Sequence, residues 1–128
     1  MSNKMVVGID IGGTNTKFGL VDEDGNVLVQ DKVNTAAFKK VEDFTHVLTA
    51  SILQLALTQD DMELVGVGIG SPNGNFYTGT VEFAPNLPWK GVVHLSKLFH
   101  EAFNLPVVLT NDAKAAAMVE MRFGGAKN

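Results

Sequence analysis

Three groups of residues in this chain have the types and spacing to do chemistry. The first lies in GIDIGGTNTKFGLV at 8–21, where Asp10, Gly12, Gly13, Thr14, Asn15, Thr16 and Lys17 stand almost side by side. A turn with paired glycines exposes backbone N–H groups with no side chain over them, and successive amides of that kind make a concave anion site. Thr14 and Thr16 add hydroxyl donors and Lys17 adds a charge. A carboxylate such as Asp10 tolerates a phosphate beside it when a cation such as Mg²⁺ lies between them, directly or through water. The plainer reading is a tight hairpin whose glycines serve geometry alone. Two other phosphate loops fail on spacing. Gly8 and Gly13 are separated as in a Walker loop, but Thr14 stands where lysine is required. Gly68 and Gly70 begin a dinucleotide fingerprint, but Asn73 takes the place of its third glycine.

Asn111 and Asp112 form the second group. They follow an apolar run and open an alanine-rich segment. An aspartate there reads first as a helix cap, a contribution of about 1 kcal/mol. The helix dipole favours its charged form, and a charged carboxylate at a strand end can also accept a proton from a hydroxyl. Asn111 offers an acceptor and two donors. The third group is Ser71, Asn73, Gly74 and Asn86, short polar residues or glycine in a loop-rich stretch at 71–90. They suit a ligand with many hydroxyls, or they are turn residues chosen for unusual backbone angles. Trp89 could stack on the face of a ligand ring, though a lone tryptophan beside a proline reads more readily as a packing anchor. His46, His94 and His100 show no metal spacing.

The elements that would position these groups are legible in the hydrophobic pattern. Residues 4–11 and 15–22 read as strands, and Asp24-Gly25 is a hairpin signal leading to a third strand at 27–33. Val41, Phe44, Leu48, Ile52 and Leu55 recur at helical spacing within 40–57. The apolar run 64–70 reads as a buried strand. Leu95, Leu98, Phe99 and Ala102 mark a second helix, stopped by Asn104 and Pro106. Val107–Leu109 is a fifth strand. A last helix runs from Asn111-Asp112 to Arg122 and is closed by Gly124-Gly125. The order βββ-α-β-α-β-α predicts an α/β domain, a mixed five-stranded sheet flanked by helices.

Composition narrows the function classes. The chain has 128 residues, 45% hydrophobic and 19% charged, which suits one globular domain. A net charge of −4 argues against nucleic acid as a partner. No apolar run approaches a membrane span. With no cysteine there is neither a disulfide framework nor a thiolate metal site. Met1 to Lys4 lead directly into a strand, which implies no signal peptide and a cytoplasmic setting.

DIGGTNTK at 10–17 resembles the first phosphate motif of the actin-like ATPase and sugar-kinase superfamily, and within it the ROK sugar kinases and glucokinases of that type. The likeness extends to GIGSPNG at 68–74, APNLPW at 84–89 and TNDAKAAA at 110–117. The resemblance implies an RNase-H-like fold and ATP-dependent phosphorylation of a hexose 6-hydroxyl, with glucose as the first candidate. It implies ATP and Mg²⁺ as cofactors and Asp112 as catalytic base and sugar ligand. The turn at 10–17 would hold ATP phosphates, with Mg²⁺ near Asp10 through water. Ser71, Asn73, Gly74, Asn86 and Asn111 would bind the sugar, although Asn73 stands where the family usually has glycine.

ROK kinases are about twice this length, so the chain resembles their N-terminal lobe alone, the second lobe being absent. That predicts weak or no kinase activity for the chain by itself, and self-association through the unmatched face. Other hexoses, such as an N-acetylhexosamine or fructose, remain open as substrates. So does a sugar-responsive regulator of the ROK type, although such regulators open with a helix-turn-helix and this chain opens on a strand. An actin-like structural or chaperone ATPase is disfavoured by the sugar-type loop and by Asn111-Asp112.

Overall fold

The computed structural model describes residues 3–119. Strand β1 (Asn3–Ile11) alternates cleanly, and Met5, Val7, Ile9 and Ile11 enter the main core. Val6 enters a second, smaller cluster, with Val65 and Ala117. Strand β2 (Asn15–Asp22) returns antiparallel, setting Lys17 opposite Asp10 and Thr16 opposite Ile11. The turn to β3 (Val27–Asn34) is built as its sequence suggests. Gly25 takes a positive φ of 86°, and Asp22 Oδ1 accepts from the amides of Asp24 and Asn26 at 3.0 and 2.9 Å.

A single 3₁₀ turn (Thr35–Ala37) leads to helix α1 (Val41–Ala56), which buries Phe44, Leu48 and Ile52. Strand β4 (Met62–Gly70) lies parallel to β1. After a folded excursion, helix α2 (Leu95–Phe103) ends on Asn104 in the left-handed conformation, φ 55°, with Pro106 just beyond. Strand β8 (Val107–Thr110) joins β4 in parallel and helix α3 (Ala113–Val119) follows. The sheet order is β3-β2-β1-β4-β8, the mixed five-stranded sheet that the element order predicts. The continuation of the last helix to Arg122 and its closure by Gly124-Gly125 lie outside the described residues.

The excursion at 71–94 differs from the sequence reading of a loop. Strands β5 (Gly74–Asn75), β6 (Thr80–Glu82) and β7 (Val92–Val93) form a second, three-stranded antiparallel sheet. Strands of two or three residues are too short to display alternation, so the pattern hides them. This unit is tied to the main core by Trp89. Its ring centroid lies 4.6 Å from that of Phe44, and its indole N–H donates to the Phe38 carbonyl at 3.1 Å. Trp89 is thus a buried anchor, and its face is not free for a sugar.

The two faces of the sheet are packed differently. One carries the aromatic and aliphatic core of α1 and α2. On the other, α3 approaches through Ala116 and Ala117, which are buried. Gly68 and Gly70 of β4 permit that approach: a Cβ on Gly68 would strike the Ala117 backbone, and one on Gly70 the backbone of Ala113. The site depends on this closeness, since α3 begins just after Asp112.

Candidate functional site

The three parallel strands end together. Asp10 of β1 is in register with Gly70 of β4, and Gly70 with Thr110 of β8. In open α/β sheets, ligands gather outside the carboxyl ends of such strands. There Asp10, Asn111, Asp112, Ala113 and Lys114 line one hollow of about 570 Å³. The end of the first strand and the start of the last helix, a hundred residues apart in sequence, therefore share a cavity. Asp10 and Asp112 are both exposed to it rather than buried in the core.

Asp112 caps α3. Its Oδ1 accepts from the amides of Lys114 and Ala115 at 2.9 and 3.4 Å, while Oδ2 accepts from none of the described residues. One carboxylate oxygen orients the group and the other is left available. Thr110 Oγ1 donates to Asn111 Oδ1 at 3.3 Å, leaving the Asn111 amide nitrogen free of described partners.

The turn at 12–15 explains its glycines in part by geometry. The Gly12 amide donates to the Asn15 carbonyl at 3.0 Å. A Cβ on Gly12 would come within 2.8 Å of that same oxygen. A Cβ on Gly13 would meet the Asn86 carbonyl at 2.6 Å, so what a side chain there would block is the neighbouring loop of the protein itself. The amides of Gly13 and Thr14 nevertheless donate to no acceptor among the described residues. They are the open donors of this turn, and they suit an anion.

Thr16 is not among the open donors. It is fully buried, and its hydroxyl pairs with that of Thr35 at 2.7 Å. The alternation of β2 could have revealed this, because Thr16 shares a face with Phe18 and Leu20. Lys17 lies on the opposite face, and with Asp10 and Lys114 it lines a second groove beside the hollow. Thr14 and Asn15 are exposed.

The loop residues divide likewise. Ser71 is buried, its amide donating to the Thr110 carbonyl at 3.0 Å and its hydroxyl to the Pro72 carbonyl at 3.1 Å. Asn73 takes a positive φ of 58°, and its amide nitrogen donates to the carbonyls of Glu82 and Phe83 at 2.9 and 3.2 Å. That side chain staples the small sheet. Gly74 packs so tightly that a Cβ would lie 2.5 Å from the Thr110 carbonyl. Asn86 is exposed beside Gly13. Lys114, which sequence reasoning passes over, lines the hollow. Its signal was its place two residues beyond Asp112, in the first turn of the helix.

No group of three or more His, Cys, Asp or Glu able to hold a metal exists among the described residues. The donor set therefore does not form an all-protein metal cage. Asp10, exposed at the hollow, is the carboxylate that could hold Mg²⁺ through water. No helix among the described residues is long and apolar enough to cross a membrane.

A sequence profile of the ROK family matches residues 6–128. The glucokinase of Streptomyces coelicolor is 38% identical over 124 residues, which cover 96% of this chain and 37% of that protein. The xylose repressor of Caldicellulosiruptor bescii is 32% identical over 122 residues, covering 93% of this chain and 30% of that protein. Among solved structures, the ROK family glucokinase of Streptomyces griseus, in complex with glucose and AMPPNP, superposes with a TM-score of 0.72 at 35% identity. The match covers 95% of this chain and 38% of that one. The chain thus spans under two-fifths of the length of these proteins, and its fold is that of an actin-like ATPase domain. By a match that starts within the first strand and takes in every element described above, the chain belongs to the ROK family.

Proposed function

We propose that this chain is the N-terminal lobe of a two-lobed, ATP-dependent hexose kinase acting on a 6-hydroxyl, with glucose as the substrate. The observation that carries this reading is the shared hollow of Asp10, Asn111, Asp112 and Lys114, with a turn of two unengaged amides following Asp10 in the chain. Phosphoryl transfer needs positioning and charge neutralisation more than covalent chemistry, and these groups can supply both. Gly13 and Thr14 amides, with the Thr14 hydroxyl, bind phosphoryl oxygens of ATP. Asp10 would hold Mg²⁺ through water, and Lys17 and Lys114 add positive charge along the rim. Mg²⁺, when bound, neutralises charge on the phosphoryl oxygens.

On the acceptor side, Asn111 and Asn86 offer short polar groups for sugar hydroxyls. Ser71, Asn73 and Gly74 hold the surrounding frame. Asp112 Oδ2 takes the proton of the 6-hydroxyl while the sugar oxygen bonds to the γ-phosphorus. The bond from that phosphorus to the bridging oxygen breaks, and ADP leaves. Support for glucose comes from the glucokinases to which the chain is similar.

The likeness to a xylose repressor supports a second reading, a sugar-responsive regulator that binds sugar without phosphorylating it. One substitution separates the two. In the full-length protein, Asp112→Asn keeps a competent helix cap, because Asn caps as well as Asp. Turnover should fall by about 10²–10⁴-fold with the melting midpoint nearly unchanged. Sugar binding by a wild-type protein that forms no sugar phosphate would favour the regulator, and near-normal turnover of the variant would refute the role given to Asp112.

A further inference from the structure

The chain carries a further cavity that the proposed reaction does not use. A groove of about 690 Å³ opens between the start of α1, the end of the loop at 88–90 and the start of α2. It shares no lining residue with the hollow at Asp10 and Asp112. Lys39, Lys40, Lys90 and Lys97 converge on it, four of the ten Lys and Arg residues in a chain of net charge −4. All four are exposed, and none of their ammonium groups has a hydrogen-bond or ion-pair partner among the described residues. His94 lies among them and Trp89 forms part of the floor.

We propose that this groove binds a small phosphorylated metabolite, through a phosphate monoester held by the lysines and a compact body lodged between the starts of α1 and α2. The volume lies within the range of small-molecule sites, roughly 300–1,000 Å³. Like charges brought together from three separate chain segments repel one another, and a bound anion relieves that repulsion. Glu42 and Glu101 also line the groove. Four ammonium groups less two carboxylates leave two net positive charges, which a monoester of about −1.5 to −2 neutralises. Lysines act here as point charges for phosphate. The N-cap residues of α1 and α2, Lys40 and His94, make no side-chain cap hydrogen bond, so both side chains are left available to the groove they line.

Trp89 is the sole tryptophan, so its emission reads this groove without a label. The test titrates the 128-residue chain with a hexose monophosphate and, separately, with inorganic phosphate, following emission and calorimetric heat. A saturable change is expected with the ester, tighter than with inorganic phosphate. It should weaken by about tenfold or more in Lys90→Ala/Lys97→Ala, a loss of about 1.4 kcal/mol or more. Lys17→Ala, at the phosphate turn, should leave it unchanged. The proposal is overturned by the absence of both signals, by binding indifferent to the double variant, or by binding lost in Lys17→Ala. Equal affinity for inorganic phosphate would also overturn it, because the body of the ester would then contribute nothing.

Discussion

The two faces of the main sheet are packed on opposite principles. Under α1 and α2 the contacts are made by large side chains: Phe44, Phe99, Leu48 and Ile52 are wholly buried. Phe44 alone lies against Phe38, Trp89 and Phe99, with ring centroids at 5.9, 4.6 and 6.4 Å. Under α3 the contacts are made by what is missing. Gly68 and Gly70 present bare backbone to Ala117 and Ala113. Apolar burial scales with area, so the first face stabilises the fold. Close approach sets position, so the second face fixes where Asp112 stands relative to Asp10. Stability and site geometry are therefore carried by different sides of the same sheet.

Substitutions can break this division or sharpen it. The largest stability effect should come from Phe44→Ala, about 3–5 kcal/mol by the usual cost of emptying an aromatic site, read as a fall in the denaturation midpoint. If the comparison holds, molecules that remain folded keep their affinity for nucleotide and sugar in the full-length protein. Gly70→Ala should cost less stability, about 1–3 kcal/mol for overpacking, yet abolish turnover, because the added methyl meets the backbone of Asp112 and Ala113 and drives the start of α3 away. A variant with normal turnover would show that the closeness of α3 is not what positions the carboxylate. Gly13→Ala should act more locally, raising the Michaelis constants for both substrates with a smaller change in melting, since its methyl meets the Asn86 carbonyl.

The smallest effect concerns pH. Backbone donation from Asn26, with help from its side chain and from the amides of Asp24 and Gly25, holds the half-buried Asp22 carboxyl below its ordinary value, against an opposing effect of desolvation. Its folded-state value is depressed, so its stabilising contribution is present above the unfolded value and is lost as pH falls through the folded one. Asp22→Asn should flatten the acid limb of a plot of melting midpoint against pH, and leave neutral pH almost untouched. An unchanged acid limb would show that the hairpin turn does not depend on the charge.

Much of the fold was legible because long elements repeat their pattern many times. The stripe from Val41 to Leu55 and the run from Leu64 to Gly70 gave their helix and strand to within two residues at each end. The small sheet at 74–93 was not legible, since its pairing is set by turns rather than by alternation. Asn73 illustrates the difficulty: an asparagine in a loop reads as a ligand contact, but its positive φ and its two carbonyl partners make it a staple. At the site, motif spacing brought out Asp10, Asn111 and Asp112. The same list swept in Thr16, whose position on the core side of β2 was written in its neighbours Phe18 and Leu20. A motif names a stretch, whereas periodicity tells which of its side chains point toward a ligand.

The contact between Gly13 and the Asn86 carbonyl has a thermodynamic corollary. Two surfaces that touch backbone to backbone do not relax independently, so under the proposed function a sugar that shifts the loop at 84–89 would also shift the bend proposed for the nucleotide. Acceptor and donor should then bind synergistically, each tightening the other by the same factor. Loop and turn would form a single hinge plate on which the two substrates register one another before any bond is broken.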